Sequence, residues 1–167
     1  MIVQNAGSSD TQLKAYKLLL VEDNPGDARL LREILSEAAG PAFALDCADS
    51  LSAALEHLNQ GPVDLILLDL TLPDSIWYET FHKLHEKAPR TPIVILTGMK
   101  QEAFALDVIR KGAQDYLIKG QIEPEGLVRT LLHAIERHKT RDEMYTLFSQ
   151  METHLKDTEK LIDFSRL

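Results

Sequence analysis

The chain has 167 residues, 44% of them hydrophobic, enough for one domain with a real core plus appendages. With 18 basic and 26 acidic residues the net charge is −8, which argues against a nucleic-acid-binding module, and no apolar run approaches the roughly 18 residues of a membrane helix. The single cysteine, Cys47, cannot form an internal disulfide and fits a reducing, cytoplasmic compartment.

Residues 1 to about 15 lack the basic and apolar regions of a signal peptide and read as a flexible polar tail. Strand and helix patterns then alternate, as in repeated βα units. Strand 1 is expected at about 17–22. Helix 1 starts at Asn24, a good N-cap, with Pro25 at the first helical position, where its missing N–H costs nothing. Its inner face carries Ala28, Leu31, Leu35 and Ala38, and Gly40-Pro41 stops it. Strand 2 follows at about 42–47. Helix 2 runs from Asp49 or Ser50 to Gln60, with Leu51, Leu55 and Leu58 inward. Strand 3 is expected at 63–69, helix 3 at 75–88, strand 4 at 92–97, helix 4 at 100–111 and strand 5 at 114–118. Helix 5 starts near Glu123-Pro124 with Leu127, Leu131 and Ile135 inward. No Gly or Pro follows Gly126, so this helix is expected to continue almost to Leu167.

Four of these strands are short apolar runs that end on polar residues: KLLLVED on Glu22 and Asp23, DLILLD on Asp69, IVILT on Thr97 and DYLIK on Lys119. Strands this apolar fit a parallel sheet covered on both faces, and such sheets bind ligands beyond their carboxyl ends. Three carboxylates, a hydroxyl and an ammonium would then meet at one edge. Taken singly, each of these residues is better explained as a cap, a turn former or a solvated charge; the convergence reverses that. Two carboxylates about 4 Å apart repel by roughly 4 kcal/mol at an effective dielectric near 20. Mg²⁺ is the remedy, because it takes oxygen ligands and bridges to phosphate. One carboxylate can then attack a phosphoryl group and form an acyl phosphate, with Lys119 and Thr97 meeting the phosphoryl oxygens opposite the metal.

With the segments LLLVEDNPGDARLL, VDLILLDLTLPD, TPIVILTG and GAQDYLIKG in that order, the chain resembles a response-regulator receiver domain of bacterial two-component signalling. The resemblance spans about residues 16–138. It implies the CheY-like fold: an α/β, doubly wound, five-stranded parallel sheet of order 2-1-3-4-5 flanked by five helices, here with a long C-terminal helix. It implies that Asp69 accepts phosphate from a histidine kinase or phosphotransfer protein. It implies no enzyme activity beyond the domain's own phosphorylation and dephosphorylation. Glu22 and Asp23 match the metal-binding acidic pair, with Asp69 and the Thr71 backbone carbonyl as further ligands. Thr97 and Lys119 match the switch hydroxyl and the phosphate-binding lysine, and Tyr116 matches the aromatic that swings inward on activation.

Two departures from the family pattern stand out. Gly120 follows Lys119, where the family usually has proline after a cis peptide. Trp77 and Tyr78 stand eight and nine residues after Asp69, in place of glycine and an aliphatic residue. They are expected either to fold onto helix 3 as local core or to form an aromatic patch for a partner.

Other readings fit less well. A haloacid-dehalogenase-like phosphatase needs a second Asp at position 71, where Thr stands. A Rossmann or flavodoxin-type binder needs a Gly-rich or Ser/Thr-rich loop after strand 1, where the acidic EDNPGD stands. A non-catalytic assembly module signalling through its C-terminal helix remains the alternative. Residues 139–167 are too few for a second core. They are expected to form a helical extension, either a coiled coil or a linker to an output domain. Met144, Phe148, Met151, Leu155 and Ile162 recur at heptad spacing, with Thr158 weakening the seam, which predicts a homodimer through this helix. The opposing expectation is a helix folded back on its own receiver.

Overall fold

The computed structural model describes residues 15–164. The expected N-terminal tail therefore lies almost wholly outside the described residues. Five parallel strands, β1 (Tyr16–Val21), β2 (Phe43–Ala48), β3 (Leu65–Asp69), β4 (Ile93–Thr97) and β5 (Asp115–Ile118), form one sheet in the order β2-β1-β3-β4-β5. The helices are α1 (Pro25–Glu37), α2 (Leu51–Gln60), α3 (Trp77–Lys87), α4 (Glu102–Arg110) and α5 (Pro124–Phe164). The apolar runs imply the covered parallel sheet, and the resemblance implies this strand order.

Successive strand residues point to opposite faces, so each central strand feeds two cores. Leu19, Val21, Ile66, Leu68, Ile93 and Ile95 pack under α2, α3 and α4. Leu18, Leu20, Leu65, Leu67, Val94 and Leu96 pack under α1 and α5. All the residues of β3 and β4 are buried, which explains why these runs are apolar throughout rather than alternating. Truncating Leu67, fully buried at the centre, to alanine costs about 2–5 kcal/mol.

Helix starts follow their local chemistry. Asn24 caps α1, its side chain accepting from Gly26 N and Asp27 N, with Pro25 in the first turn. Ser50 caps α2 through Ala53 N. Two starts come later than the sequence implies. A 3-10 turn at Met99–Gln101 precedes α4, and α3 begins only at Trp77 because Ile76 stays extended.

In α5 the buried residues are Leu127, Val128, Leu131, Ala134 and His138. Past His138 the helix leaves the domain and runs on as one piece to Phe164. At 1.5 Å per residue the 41-residue helix is about 60 Å long. The fold-back expectation fails for the described part of the helix: it makes no reversal onto its own sheet. Among the described residues, no helix is long and apolar enough to cross a membrane.

Candidate functional site

The carboxyl edge of the sheet assembles the site. β1 ends at Val21, so Glu22 and Asp23 lie just beyond it, and β3, the neighbour of β1, ends on Asp69. One carboxylate oxygen from each of Glu22, Asp23 and Asp69 lies within 4.8 Å of the others, close enough for a single metal ion to be shared. Glu22 and Asp69 are buried and Asp23 is exposed, so the cluster is open on one side. The donor set is all hard oxygen, which suits Mg²⁺ or Ca²⁺ and not a soft metal.

Lys119 reaches the same cluster from the far side. It follows β5, two strands away from β3, and its long stem brings Nζ to 2.6 Å from Asp69 Oδ2 and 2.5 Å from Glu22 Oε2. Its backbone N–H donates to Thr97 O at 2.8 Å. A turn follows, closed by Gln121 N donating to Ile118 O at 3.1 Å, with Gly120 at φ +83°. That position in a type II turn favours glycine. Among the described residues no peptide bond is cis, so Lys119-Gly120 is trans.

A third carboxylate, Asp27 in the first turn of α1, accepts from Lys119 Nζ at 2.9 Å. Sequence reasoning missed it, since an acid there reads as a partner for the helix dipole.

The electrostatics follow from burial. Burial pushes the Glu22 carboxyl up to about 7, against the opposing hydrogen bonds from Lys119 and from Asn24 N. Burial alone would lower the Lys119 ammonium, but hydrogen bonds to Asp69, Glu22 and Asp27 hold it well above the ordinary lysine range. The site thus keeps a fixed positive charge amid surplus carboxylate, one of which is reluctant to ionise without further cationic help.

The other expected residues lie close by. Thr97 is buried at the end of β4, its hydroxyl donating to Gly98 O at 3.2 Å. Tyr116 is half-buried in β5 against the α2–α4 core. Thr71 is exposed in the loop after β3, its N–H donating to Asp69 Oδ1 at 2.8 Å and its hydroxyl to Gln101 Oε1 at 3.3 Å. That amide bond fixes the carboxylate rotation of Asp69.

The same loop is tethered to α2. Asp74 accepts from Leu51 N at 3.0 Å and from Ser52 N at 3.1 Å. These hydrogen bonds, the one from Leu51 N foremost, hold its carboxyl below the usual range. Just after it, Trp77 is half-buried against the core and packs on Phe104 of α4, while Tyr78 is exposed, stacked on His82 and capped by Lys111. The local-core expectation is met by Trp77, while Tyr78 stays at the surface. Leu70, Thr71, Ile76, Trp77, Gln101 and Phe104 line a cleft of about 220 Å³ beside the acidic edge.

A family model for the response regulator receiver domain matches residues 18–132. Regulatory protein LuxO of Vibrio cholerae serotype O1 is 34% identical over 118 residues, covering 71% of this chain and 25% of LuxO. Transcriptional regulatory protein ResD of Bacillus subtilis is 33% identical over 108 residues, covering 65% of this chain and 43% of ResD. The chain thus spans a quarter to less than half of these relatives. The crystal structure of a response regulator receiver domain protein from Clostridium thermocellum superposes with a TM-score of 0.66 at 20% identity, covering 75% of this chain and 98% of that one. At that identity it shows the fold alone.

Proposed function

The chain belongs to the response regulator receiver domain family, and from that premise we propose that it accepts a phosphoryl group on Asp69 and relays the change through its own switch residues and α5. The single observation that carries this reading is the meeting of Glu22, Asp23 and Asp69 within 4.8 Å, with the Lys119 ammonium 2.6 Å from Asp69. A non-catalytic assembly module would have no need to bury carboxylates at such electrostatic cost.

An Asp69 carboxylate oxygen attacks the phosphorus of a phosphohistidine on a histidine kinase or phosphotransfer protein. The P–O bond forms as the P–N bond breaks, and the imidazole leaves. Thr71 N–H holds the other Asp69 oxygen and so orients the nucleophile. Lys119 neutralises the phosphoryl oxygens, and the Thr97 hydroxyl turns from Gly98 O to meet them. Tyr116, on the neighbouring face, then fills the space Thr97 vacates. Glu22, Asp23, Asp69 and the Thr71 carbonyl would hold Mg²⁺, which supplies charge neutralisation to both the attacking carboxylate and the incoming phosphoryl group. The receiver unit comprises residues 16–138, and residues 139–167 are its extension, through which two copies pair. The cytoplasm, where its phosphodonors reside, is its place of action.

The test is phosphoryl transfer from acetyl phosphate. Label should appear only with Mg²⁺, and Asp69→Asn should abolish it. Uptake by Asp69→Asn at the wild-type level would refute the reading.

A further inference from the structure

The geometry points to Asp27 as a positioning residue that holds the Lys119 ammonium beside Asp69 from helix α1. This inference rests on the phosphoryl-acceptor reading and adds a residue to it.

A lysine ammonium has three N–H donors. Here two carboxylates accept from it, Asp69 Oδ2 at 2.6 Å and Asp27 Oδ2 at 2.9 Å, and a third, Glu22 Oε2, lies 2.5 Å away as an ion pair. Glu22 and Asp69 also belong to the cluster able to share a metal; Asp27 does not. When a cation engages Glu22 and Asp69, and Asp69 is esterified, two of the three lysine contacts change. The contact to Asp27 is the one left standing. The Asp27 backbone is tied into the α1 cap, where its N–H donates to Asn24 Oδ1 at 3.2 Å.

A second observation shows why the lysine needs such a tether. Its stem borders a cavity of about 170 Å³, lined also by Leu30, Leu31, Ile34, Gly120 and Ile122. The side chain is 24% exposed, and packing on a flexible four-carbon stem that borders a cavity leaves the ammonium's exact place to its polar partners. On its far side Gly120 contributes no side chain, and a Cβ built there would meet nothing within 4 Å. The position of the ammonium is therefore set by its ion pairs, and Asp27 supplies the one that is independent of the reacting groups.

The experiment is a titration of the full chain with beryllofluoride, a phosphoryl mimic, in saturating Mg²⁺, followed by fluorine NMR. Asp27→Ala should weaken beryllofluoride binding about tenfold, the loss expected for one hydrogen bond to a charged group. Its loss of affinity for Mg²⁺ alone should be much smaller. Asp27→Asn, which keeps the acceptor, should recover part of the loss. In a Lys119→Ala background, Asp27→Ala should cost nothing further, because its effect passes through the lysine. An equal loss in that background, or an unchanged affinity in Asp27→Ala, would overturn the assignment while leaving Asp69 as the acceptor. Wild-type protein that fails to take up beryllofluoride at all would overturn both.

Discussion

Trp77 and Phe104 meet ring to ring, 5.3 Å between centroids and inclined at 44°, across the gap between the start of α3, where the Asp69 loop ends, and helix α4. Their contact joins two elements that border the acidic edge: Thr71 in the loop is hydrogen-bonded to Gln101, which stands just before α4. A change at Asp69 that moves Thr71 will therefore alter the surroundings of the chain's single tryptophan. We expect Mg²⁺ plus beryllofluoride to change Trp77 emission, and Phe104→Ala to shift emission to the red by wetting the ring. A spectrum indifferent to both would separate Trp77 from the switching surface.

Lys119→Ala should separate metal binding from switching. Removing one positive charge from among Glu22, Asp27 and Asp69 leaves the carboxylates uncompensated, so Mg²⁺ should bind at least as tightly as in wild type. The conformational response to beryllofluoride should be lost. Moving a two-state equilibrium from 1:99 to 99:1 takes about 5.5 kcal/mol, and the lysine–phosphoryl pair is a large share of it. A normal response in this variant, read by Trp77 emission or NMR shifts, would disprove the role given to Lys119.

Much of this arrangement was legible in the sequence. β1, β3 and β4 are apolar because both of their faces are covered, and a polar residue at or just beyond the end of such a strand can only sit at the sheet edge. That logic places Glu22, Asp23, Asp69 and Thr97 at one edge, and Lys119 with them. It could not reach Asp27, whose partner lies 92 residues away and whose position fits an ordinary helix start. Nor could it reach Asp74, which binds the start of a helix 23 residues upstream. Local propensity is blind to such pairs. The late start of α3 has the same origin: Asp74 holds the loop to α2, so the chain turns into helix only at Trp77.

Asp74→Ala tests that tether. The carboxylate serves two amides at the N-terminus of α2, a role worth about 1 kcal/mol in helix capping. The variant should melt a few degrees lower, and the Asp69 loop should exchange its amide hydrogens faster. Unchanged exchange would mean that the loop is held by Trp77 packing alone.

His138 makes stability depend on pH. It is the last buried residue of α5 among those described, and burial holds its imidazole below the ordinary 6.5; Arg141 and His85 add to that, while Asp142 and a hydrogen bond with the Arg90 backbone oppose it. As pH falls through about 6.5 the unfolded chain takes up this proton and the folded one resists, so the stabilisation is complete above that point and drains away below it. Glu22 acts in the opposite sense, since its raised carboxyl protonates first in the folded state. Comparing wild type with His138→Gln cancels the Glu22 contribution. Between about pH 7.5 and about pH 5.5 the wild-type melting temperature should fall relative to the variant. Parallel curves would show that the imidazole titrates alike in both states.

The C-terminal helix should pair two copies of the chain. Beyond His138, Met144, Phe148, Met151 and Leu155 are 54–64% exposed, and they recur at the four-three-four spacing of a heptad seam. Ile162, expected to extend the seam, falls where no side chain is described. Tyr145 and Leu147 are exposed beside it and widen the stripe. One small receiver cannot cover this surface, because α5 runs straight out of the domain. Each large apolar side chain buried between two copies contributes about 1.5–3 kcal/mol before the cost of association, so a seam of fewer than three heptads gives a weak, tunable dimer. That suits a switch, because a small change of helix register or spacing driven from Asp69 can shift the monomer–dimer balance. Light scattering should find the full chain dimerising in a concentration-dependent way, more strongly with beryllofluoride, and a truncation at residue 140 remaining monomeric. Phe148→Glu, which puts a charge in the seam, should mimic the truncation. Identical monomers in all cases would reduce the helix to a linker and remove this route out of the receiver.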